Sequence, residues 1–193
     1  MKDLTVGVAM CGSFCALRGV MEKMRGLKDG GAGLVPIMSQ AVSSMDTRFG
    51  RAADIAAEVE ALCGRKIINT ICGAEPIGPQ KMLDILLIAP CTGNTLGKLA
   101  CGISDGPVTM AAKSHLRNGR PVLIGVSTND ALGAAAKNIG QLLNYKNIYF
   151  VPMGQDDHMA KPNSLAADLS WLREAIDSAL RGIQLQPLML EPK

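Results

Sequence analysis

Short apolar runs that alternate with segments of helical spacing constrain the fold of this 193-residue chain more than any other feature. Buried strands are predicted where the runs fall, at 4–10, 34–39, 66–71, 84–89, 121–126 and 148–152. Amphipathic helices are predicted at 14–27, 51–63, 94–101, 108–118, 131–143 and 164–180. Because parallel strands need helical crossovers, this alternation predicts an α/β fold. We expect a doubly wound, mostly parallel six-stranded sheet with helices on both faces, in three layers of the Rossmann or flavodoxin-like kind.

Composition favours a single compact domain with a sizeable core. The chain is 48% apolar and 19% charged, and we predict one domain over residues 1–183 followed by a tail over 184–193. The tail and the polar segment 155–163 are predicted to be unstructured.

Charge, hydropathy and cysteine usage argue against several classes of protein. The net charge is +3, the basic residues are scattered and aromatic residues make up 3% of the chain, so nucleic acid is a poor candidate ligand. The N-terminal apolar run is too short for a secretory signal, and no run of eighteen apolar residues exists. We therefore expect a cytoplasmic protein without membrane contact, whose six cysteines are reduced thiols packed as small apolar groups. With two histidines and no C-x-x-C pair, no metal site is expected.

The loops after the predicted strands lie at the edge where doubly wound sheets bind ligands. Gly12 and Ser13 follow the first strand, and Ser39 follows the second. These small residues suit a phosphate, although an ordinary strand-to-helix turn explains Gly12 and Ser13 equally well. The chain has neither the G-x-x-x-x-G-K-[ST] pattern of an ATP P-loop nor the G-x-G-x-x-G pattern of a dinucleotide site.

The segment PCTGNT at 90–95 is richer in polar groups than a helix cap requires. Pro90 ends a strand, and Thr92, Asn94 and Thr95 bring hydroxyl and amide groups to the start of the next helix. One such residue is enough to cap a helix. The surplus therefore indicates an anion site, and a phosphate monoester is its natural ligand.

Few residues are suited to catalysis, and no catalytic residue is assigned from the sequence. Glu75, Cys91 and His158 are weak candidates, as a buried base, as a thiol at a helix start and as part of a lid loop, respectively. The plainer interpretations are an exposed carboxylate, a small packing residue and a solvated loop. Lys98 either faces the site or is a solvated surface lysine, and the second interpretation is favoured. His115 is predicted at the surface or at an interface.

The segment APCTGNTLGKLACGISD at 89–105 resembles the motif AP-x-[ST]-A-N-T-x-x-K-x-A-x-G-I-x-D of a flavoprotein family. That family includes phosphopantothenoylcysteine decarboxylase, lantibiotic-type cysteine decarboxylases and UbiX-like prenyltransferases. The similarity extends over about residues 4–150. It implies flavin mononucleotide (FMN), with its phosphate and ribityl chain among the three loops. The residues that the resemblance implies for cofactor binding are Gly12, Ser13, Ser39, Pro90, Thr92, Asn94 and Thr95.

Two departures from the family pattern bear on the reaction. The decarboxylases carry a histidine soon after the third strand, where this chain reads CGAEPIGP at 72–79. They also carry P-x-M-N-x-x-M-[WY] after the fifth strand, where this chain reads VSTNDALG at 126–133 and keeps only the asparagine. Both departures argue against decarboxylation of a peptidyl or pantothenoyl cysteine. The scarcity of aromatic residues leaves open whether FMN is retained or lost.

Four segments resemble one branch of the family, the B subunits of a two-subunit synthase of spore-forming bacteria. They are GVAMCGSFC at 7–15, PIMS at 36–39, PCTGNT at 90–95 and VPMGQDD at 151–157. The resemblance implies formation of pyridine-2,6-dicarboxylate from a dihydrodipicolinate-type lysine-pathway intermediate, during sporulation and in the mother-cell cytoplasm. It also implies a homo-oligomer and a partner A subunit whose Rossmann domain binds NAD(H) or NADP(H). Two alternatives stay open: a stand-alone FMN-dependent decarboxylase or reductase, and a non-catalytic scaffold that activates the A subunit.

Overall fold

The computed structural model describes residues 2–191, which form a layer of strands between two layers of helices. The strands are β1 (Thr5–Met10), β2 (Gly33–Met38), β3 (Ile85–Cys91), β4 (Val122–Thr128), β5 (Ile148–Phe150), β6 (Met153–Gly154) and β7 (Leu165–Ala167). The helices are α1 (Leu17–Asp29), α2 (Gln40–Ser44), α3 (Ala52–Cys63), α4 (Ile71–Ala74), α5 (Gly93–Ala100), α6 (Pro107–Leu116), α7 (Ala136–Leu143) and α8 (Leu172–Leu180).

Parallel strands in the order β2-β1-β3-β4-β5 form the body of the sheet. The end of β4 pairs antiparallel with β7, which in turn pairs with β6. The predicted doubly wound, mostly parallel sheet of the Rossmann or flavodoxin-like kind is confirmed, with seven strands within residues 2–191 instead of six. The direction of strand progression reverses between β1 and β3, and folds of this kind have a ligand crevice at that point.

Alternate side chains of the central strands pack on opposite faces of the sheet, which explains why their sequences are almost continuously apolar. In β1, Val6 and Val8 belong to the core under α1, α3 and α8, whereas Ala9 belongs to the core under α5, α6 and α7. With both faces covered, the edge formed by the carboxyl ends of the strands is left for a ligand site.

The prediction of a strand at 66–71 is wrong. Only Ile68 pairs with the edge strand β2, through hydrogen bonds from the Ile68 amide to the Pro36 carbonyl (2.9 Å) and from the Met38 amide to the Ile68 carbonyl (3.0 Å). Two residues later the Thr70 hydroxyl accepts a hydrogen bond from the Gly73 amide (3.0 Å) and begins α4. The turn into α4 therefore ends the strand pairing after one residue.

Two helices, α7 and α8, begin five or more residues later than predicted. The turns before α7 close on the Asp130 carbonyl, which accepts from the amides of Gly133 (2.9 Å) and Ala135 (3.2 Å), so the helix begins at 136 rather than 131. The segment predicted as one helix over 164–180 instead contains β7 and a short turn before α8. β7 was missed because three residues are too few to show a periodicity.

The segment 184–191 is packed against the sheet, contrary to its prediction as an unstructured tail. The Gln184 side chain accepts from the Phe150 amide (2.8 Å) and donates to the Phe150 carbonyl (2.8 Å), as a neighbouring strand would. Further along, the Leu190 amide donates to the Met153 carbonyl (2.8 Å). The first of these contacts covers the free edge of β5, and the second joins the segment to β6. Residues 192 and 193 of the predicted tail lie outside the described residues.

Candidate functional site

A cleft of about 370 Å³ opens at the carboxyl edge of the sheet, between the ends of β1 and β3. Its position is the topological switch point of the fold. The lining residues come from the loops after β1, β2 and β3 and from the starts of α5 and α6: Cys11, Gly12, Ser39, Gln40, Ala41, Thr92, Asn94, Thr95, Lys98, Asp105, Gly106, Pro107, Val108 and Thr109. Five of the seven residues predicted to bind a cofactor, Gly12, Ser39, Thr92, Asn94 and Thr95, are thus brought together here.

The polar residues at the start of α5 have different tasks. Thr92 is the N-cap of α5, and its hydroxyl accepts a hydrogen bond from the Thr95 amide (3.4 Å). Thr95 is buried, and its hydroxyl donates to the Cys11 sulfur (3.3 Å), so it forms the floor of the cleft. Asn94 is exposed at the mouth. Thr92 and Asn94 therefore present more polar surface to a ligand than Thr95 does.

Ser39 contributes the wall on the β2 side. It is the N-cap of α2, its amide donates to the Met10 carbonyl (3.0 Å) and its hydroxyl accepts from the Val42 amide (3.4 Å). Ser39 is half-buried and can still donate its own O–H toward the cleft.

Ser13 and Pro90, also predicted to bind a cofactor, do not line this cleft. Ser13 lines a second cleft of about 240 Å³, which lies next to the first because both include Gly12 and Thr92. There its hydroxyl is 2.8 Å from the Ser127 hydroxyl. Pro90 is a buried residue of β3, and its carbonyl accepts from the Cys11 amide (3.1 Å).

Lys98 lines the main cleft, so its prediction as a solvated surface lysine is wrong. Its ammonium binds both carboxylate oxygens of Asp105, at 2.8 and 2.9 Å. The physical reason is the ion pair: it directs Lys98, in the last turn of α5, toward the segment before α6, which also borders the cleft. Sequence reasoning missed Asp105 and the start of α6 because α6 follows α5 without an intervening strand.

Two buried thiols lie beneath the cleft. A hydrogen bond from the Cys91 thiol, with a second from the Thr95 hydroxyl, lowers the pKa of the Cys11 thiol against the opposing effect of burial. Burial raises the pKa of the Cys91 thiol well above its ordinary value. Cys91 thus stays protonated and faces the core, as its plainer interpretation has it. The expectation that the cysteines are packed as small apolar groups is wrong for Cys15, Cys72 and Cys101, which are exposed.

The other two catalytic candidates lie away from the main cleft. Glu75 is exposed and pairs with Arg117 at 3.8 Å, near the C-terminal end of α6, whereas the cleft lies at the N-terminal end of that helix. His158 is exposed on the loop after β6 and lines neither of the two clefts. That loop does border the second cleft, through Asp156 and Lys161, which form an ion pair at 3.1 Å.

Comparison with known proteins assigns a family to this geometry. The sequence pattern of the Flavoprotein family matches residues 1–170. The B subunit of dipicolinate synthase of Bacillus subtilis (strain 168) is 44% identical over 191 residues, which cover 99% of this chain and 96% of that protein. The chain belongs to the Flavoprotein family, in the branch of the dipicolinate synthase B subunits. The family and the branch predicted from the motifs are thereby confirmed.

Two solved structures share this Flavoprotein fold. The B subunit of dipicolinate synthase from Bacillus halodurans C superposes with a TM-score of 0.91 at 42% identity, over 100% of this chain and 98% of that one. Burkholderia xenovorans DmrB in complex with FMN, a cubic protein cage for redox transfer, has a TM-score of 0.68 at 18% identity, over 93% of this chain and 96% of its own. At that identity the second likeness shows the fold alone.

The structure explains why this Flavoprotein chain has Gly93 where the family motif has alanine. A Cβ atom at Gly93 would lie 2.7 Å from the Asp130 Oδ1 and 3.0 Å from the Thr128 hydroxyl. The Thr128 hydroxyl donates to the Asp130 carboxylate at 2.5 Å. Both side chains thus lie close to Gly93, and the loop after β4 packs against the first turn of α5. An alanine at this position would require the exposed Asp130 side chain to move.

Two further properties follow from the described residues. Within 2–191, no three His, Cys, Asp or Glu side chains come together as a set that could hold a metal ion. The helices of that same part of the chain are too short or too polar to cross a membrane.

The substitution Thr92→Ala is expected to lower the free energy of unfolding by about 1 kcal/mol, because it removes the oxygen that caps α5. Thr92→Ser keeps that oxygen and should retain most of the stability. Urea unfolding of both variants measures the difference. Equal losses in the two variants would contradict the capping role and assign the loss to the threonine methyl group.

Proposed function

We propose that the chain acts as the B subunit of a dipicolinate synthase, in a complex with the A subunit of that enzyme. Together they would form pyridine-2,6-dicarboxylate from a dihydrodipicolinate-type intermediate, in the mother-cell cytoplasm during sporulation. The 44% identity with the Bacillus subtilis protein carries this proposal, because it runs over 99% of the chain and is not confined to one motif. The polar cleft is consistent with it, since both substrate and product are dianions.

The proposed division of labour follows from the chemistry. Aromatisation of a dihydrodipicolinate ring removes one hydride and one proton. A nicotinamide bound by the A subunit would supply the hydride acceptor, and the proton would pass to water. The B subunit supplies the cleft, where the Thr92 hydroxyl and the free amides of the first turn of α5 bind an oxyanion. Pro107 and Val108 form an apolar part of the wall of this cleft.

The main cleft fits the phosphate of FMN better than the flavin ring. Ser39, Thr92 and the Gly12 backbone offer donors for a phosphate, and Lys98 adds a cation. Next to them the apolar lining is Ala41, Pro107 and Val108, and no aromatic side chain within residues 2–191 borders the main cleft. FMN, when bound, supplies an acceptor for two electrons. In that case Ser39, Thr92 and Lys98 would hold its phosphate. Ser13 would contact the cofactor from the second cleft.

A stand-alone FMN-dependent decarboxylase or reductase is the second candidate. The specific observation in its favour is the fold shared with DmrB, which was solved with FMN. Under either of these two candidate functions, the chain would act as a homo-oligomer. The third candidate, a scaffold that only activates the A subunit, would use no ligand in the cleft.

Activity of the two-subunit complex tests these candidates. The chain should form pyridine-2,6-dicarboxylate only when a nicotinamide cofactor and the A subunit are both present, measured by the absorbance of the product. The double substitution Thr92→Ala and Asn94→Ala should reduce kcat/KM by about tenfold or more, because hydrogen bonds to charged groups are among the strong ones.

The matched control is Asn69→Ala with Thr70→Ala, which removes an asparagine and a capping threonine outside the cleft. The control should keep kcat/KM within about twofold, since neither residue borders the cleft. Full activity of the Thr92 and Asn94 variant would instead favour the scaffold. A yellow protein that acts without its partner would favour the stand-alone flavoenzyme.

A further inference from the structure

One ion pair stands on the wall of the main cleft. The Lys98 ammonium lies 2.8 and 2.9 Å from the two oxygens of the Asp105 carboxylate. The Lys98 side chain is 33% exposed and that of Asp105 is 56% exposed. Among the described residues that line this cleft, Lys98 and Asp105 are also the only charged ones. An anion that enters the cleft can therefore contact one positively charged side chain, Lys98, and that side chain is already paired with the Asp105 carboxylate.

The ion pair itself does little for the stability of the fold. Pairs that are this exposed are screened by water and contribute little. The pair lies on the surface of the cleft rather than in the core, and α5 is already capped by Thr92 and packed through Leu96 and Ala100. The arrangement thus calls for a role other than stabilising the fold.

Hydrogen-bond capacity points to that role. An ammonium has three N–H donors, and the Asp105 carboxylate accepts two of them. The third donor is free to reach an oxyanion in the cleft without loss of the ion pair. Lys98 extends from the second turn of α5, whereas the amides and the Thr92 hydroxyl lie at its start. The cleft thus has two separate groups of anion donors.

We propose that Lys98 binds one oxyanion of the cleft ligand and that Asp105 is the positioning residue that holds the ammonium in place. The second oxyanion of the ligand is bound at the start of α5. Two groups of donors match a small dicarboxylate better than a ligand with one anionic end. The inference rests on the proposed function, in which the cleft is the ligand site. The phosphate of FMN would offer the same oxyanion chemistry, and the test separates the two ligands.

Calorimetric titration of the full chain with pyridine-2,6-dicarboxylate, with FMN and with inorganic phosphate tests the role of Lys98. Lys98→Met should weaken dicarboxylate binding by about tenfold or more, and Lys98→Arg should restore most of the affinity because it keeps the charge. The matched control is Lys66→Met, which removes a lysine whose ion pair with Glu60 (2.8 Å) lies outside the cleft. The control should bind as the unaltered chain does.

Asp105→Asn separates binding from a merely structural ion pair. Lys98→Met and Asp105→Asn break the same pair, so a structural role would weaken binding equally in both variants, and that result would overturn the proposal. We expect Asp105→Asn to weaken dicarboxylate binding measurably but by less than about fivefold, because the ammonium keeps its charge and loses only the carboxylate that positions it. Unchanged dicarboxylate binding in Lys98→Met would also overturn the proposal.

The choice of ligand separates the remaining outcomes. A loss confined to FMN and phosphate in Lys98→Met would overturn the dicarboxylate as the ligand of Lys98. Binding of the dicarboxylate by the unaltered chain, with no loss in Lys98→Met, would refute the role of Lys98 and leave the proposed function standing. The proposed function itself fails if the two-subunit complex forms no product.

Discussion

Replacing Gly78 with alanine is expected to lower the free energy of unfolding by about 3 kcal/mol. A Cβ atom at this position would lie 2.1 Å from the backbone carbonyl oxygen of Ser114 and 2.6 Å from its hydroxyl oxygen. The Gly78 amide donates to the Ser114 hydroxyl at 2.9 Å, so any shift that relieves the contact breaks a buried hydrogen bond. In a domain of this size such a loss corresponds to a fall in Tm of roughly 6–12 °C.

Thermal and urea unfolding of two further variants isolates the cause. Adding Ser114→Ala to Gly78→Ala should not restore stability, because the nearest contact is with the backbone of residue 114. The matched control is Gly19→Ala, at a position in α1 with nothing within 4 Å of the added carbon. That control should raise stability by about 0.5–1 kcal/mol, as glycine-to-alanine changes do in helices. A Gly78→Ala variant as stable as the unaltered chain would show that α6 can move away from residue 78.

The central strands could be predicted from the sequence because they are buried on both faces. β1 and β3 begin within one residue of the predicted runs, since every side chain of a covered parallel strand is apolar. The cleft was predictable in the same way. Once a run ends in PCTGNT, the parallel topology dictates that this end meets the loops after β1 and β2.

The direction of individual side chains could not be predicted from the order of residues. Ser13 lies in the same loop after β1 as Gly12, yet it faces the second cleft because its hydroxyl pairs with Ser127, more than a hundred positions away. Thr95 belongs to the polar motif, yet its hydroxyl donates a hydrogen bond to the Cys11 sulfur instead of facing a ligand. Each of these outcomes depends on a partner from another part of the chain, which a local motif does not reveal.

The position of His115 was predicted wrongly from the charged residues near it in the sequence. Its neighbours in the sequence include Arg117 and Arg120, which favoured a surface position, but the residue is fully buried. α6 packs its inner face on the sheet, and His115 lies on that face near the end of the helix. Its Nε2 donates to the Pro121 carbonyl at 3.1 Å, and its Nδ1 has no hydrogen-bond partner among residues 2–191. A buried neutral histidine of this kind makes the fold sensitive to acid.

Acid is expected to destabilise the fold through His115. Burial, reinforced by the positive charge of Arg120 and opposed by the Pro121 carbonyl and by Asp84, lowers the pKa of His115 to about 4. In the unfolded chain the pKa of histidine is near 6.5, so below that pH the unfolded state takes up a proton that the folded state does not. The contribution of neutral His115 to the free energy of unfolding is therefore fully present above about pH 6.5 and falls as the pH drops toward 4. At pH 4.5 the free energy of unfolding is lower by about 2.5 kcal/mol through this residue.

Urea unfolding at a series of pH values between 7 and 4.5 measures this loss, with His115→Gln as the comparison. The glutamine amide can still donate to the Pro121 carbonyl but does not titrate, so the variant should be less stable at pH 7 and lose less on acidification. The carboxylates titrate in both proteins and cancel in the difference between the two pH curves. A difference that stays constant from pH 7 to 4.5 would mean that the pKa of His115 is the same in the folded chain as in the unfolded chain. It would thereby refute the buried neutral state.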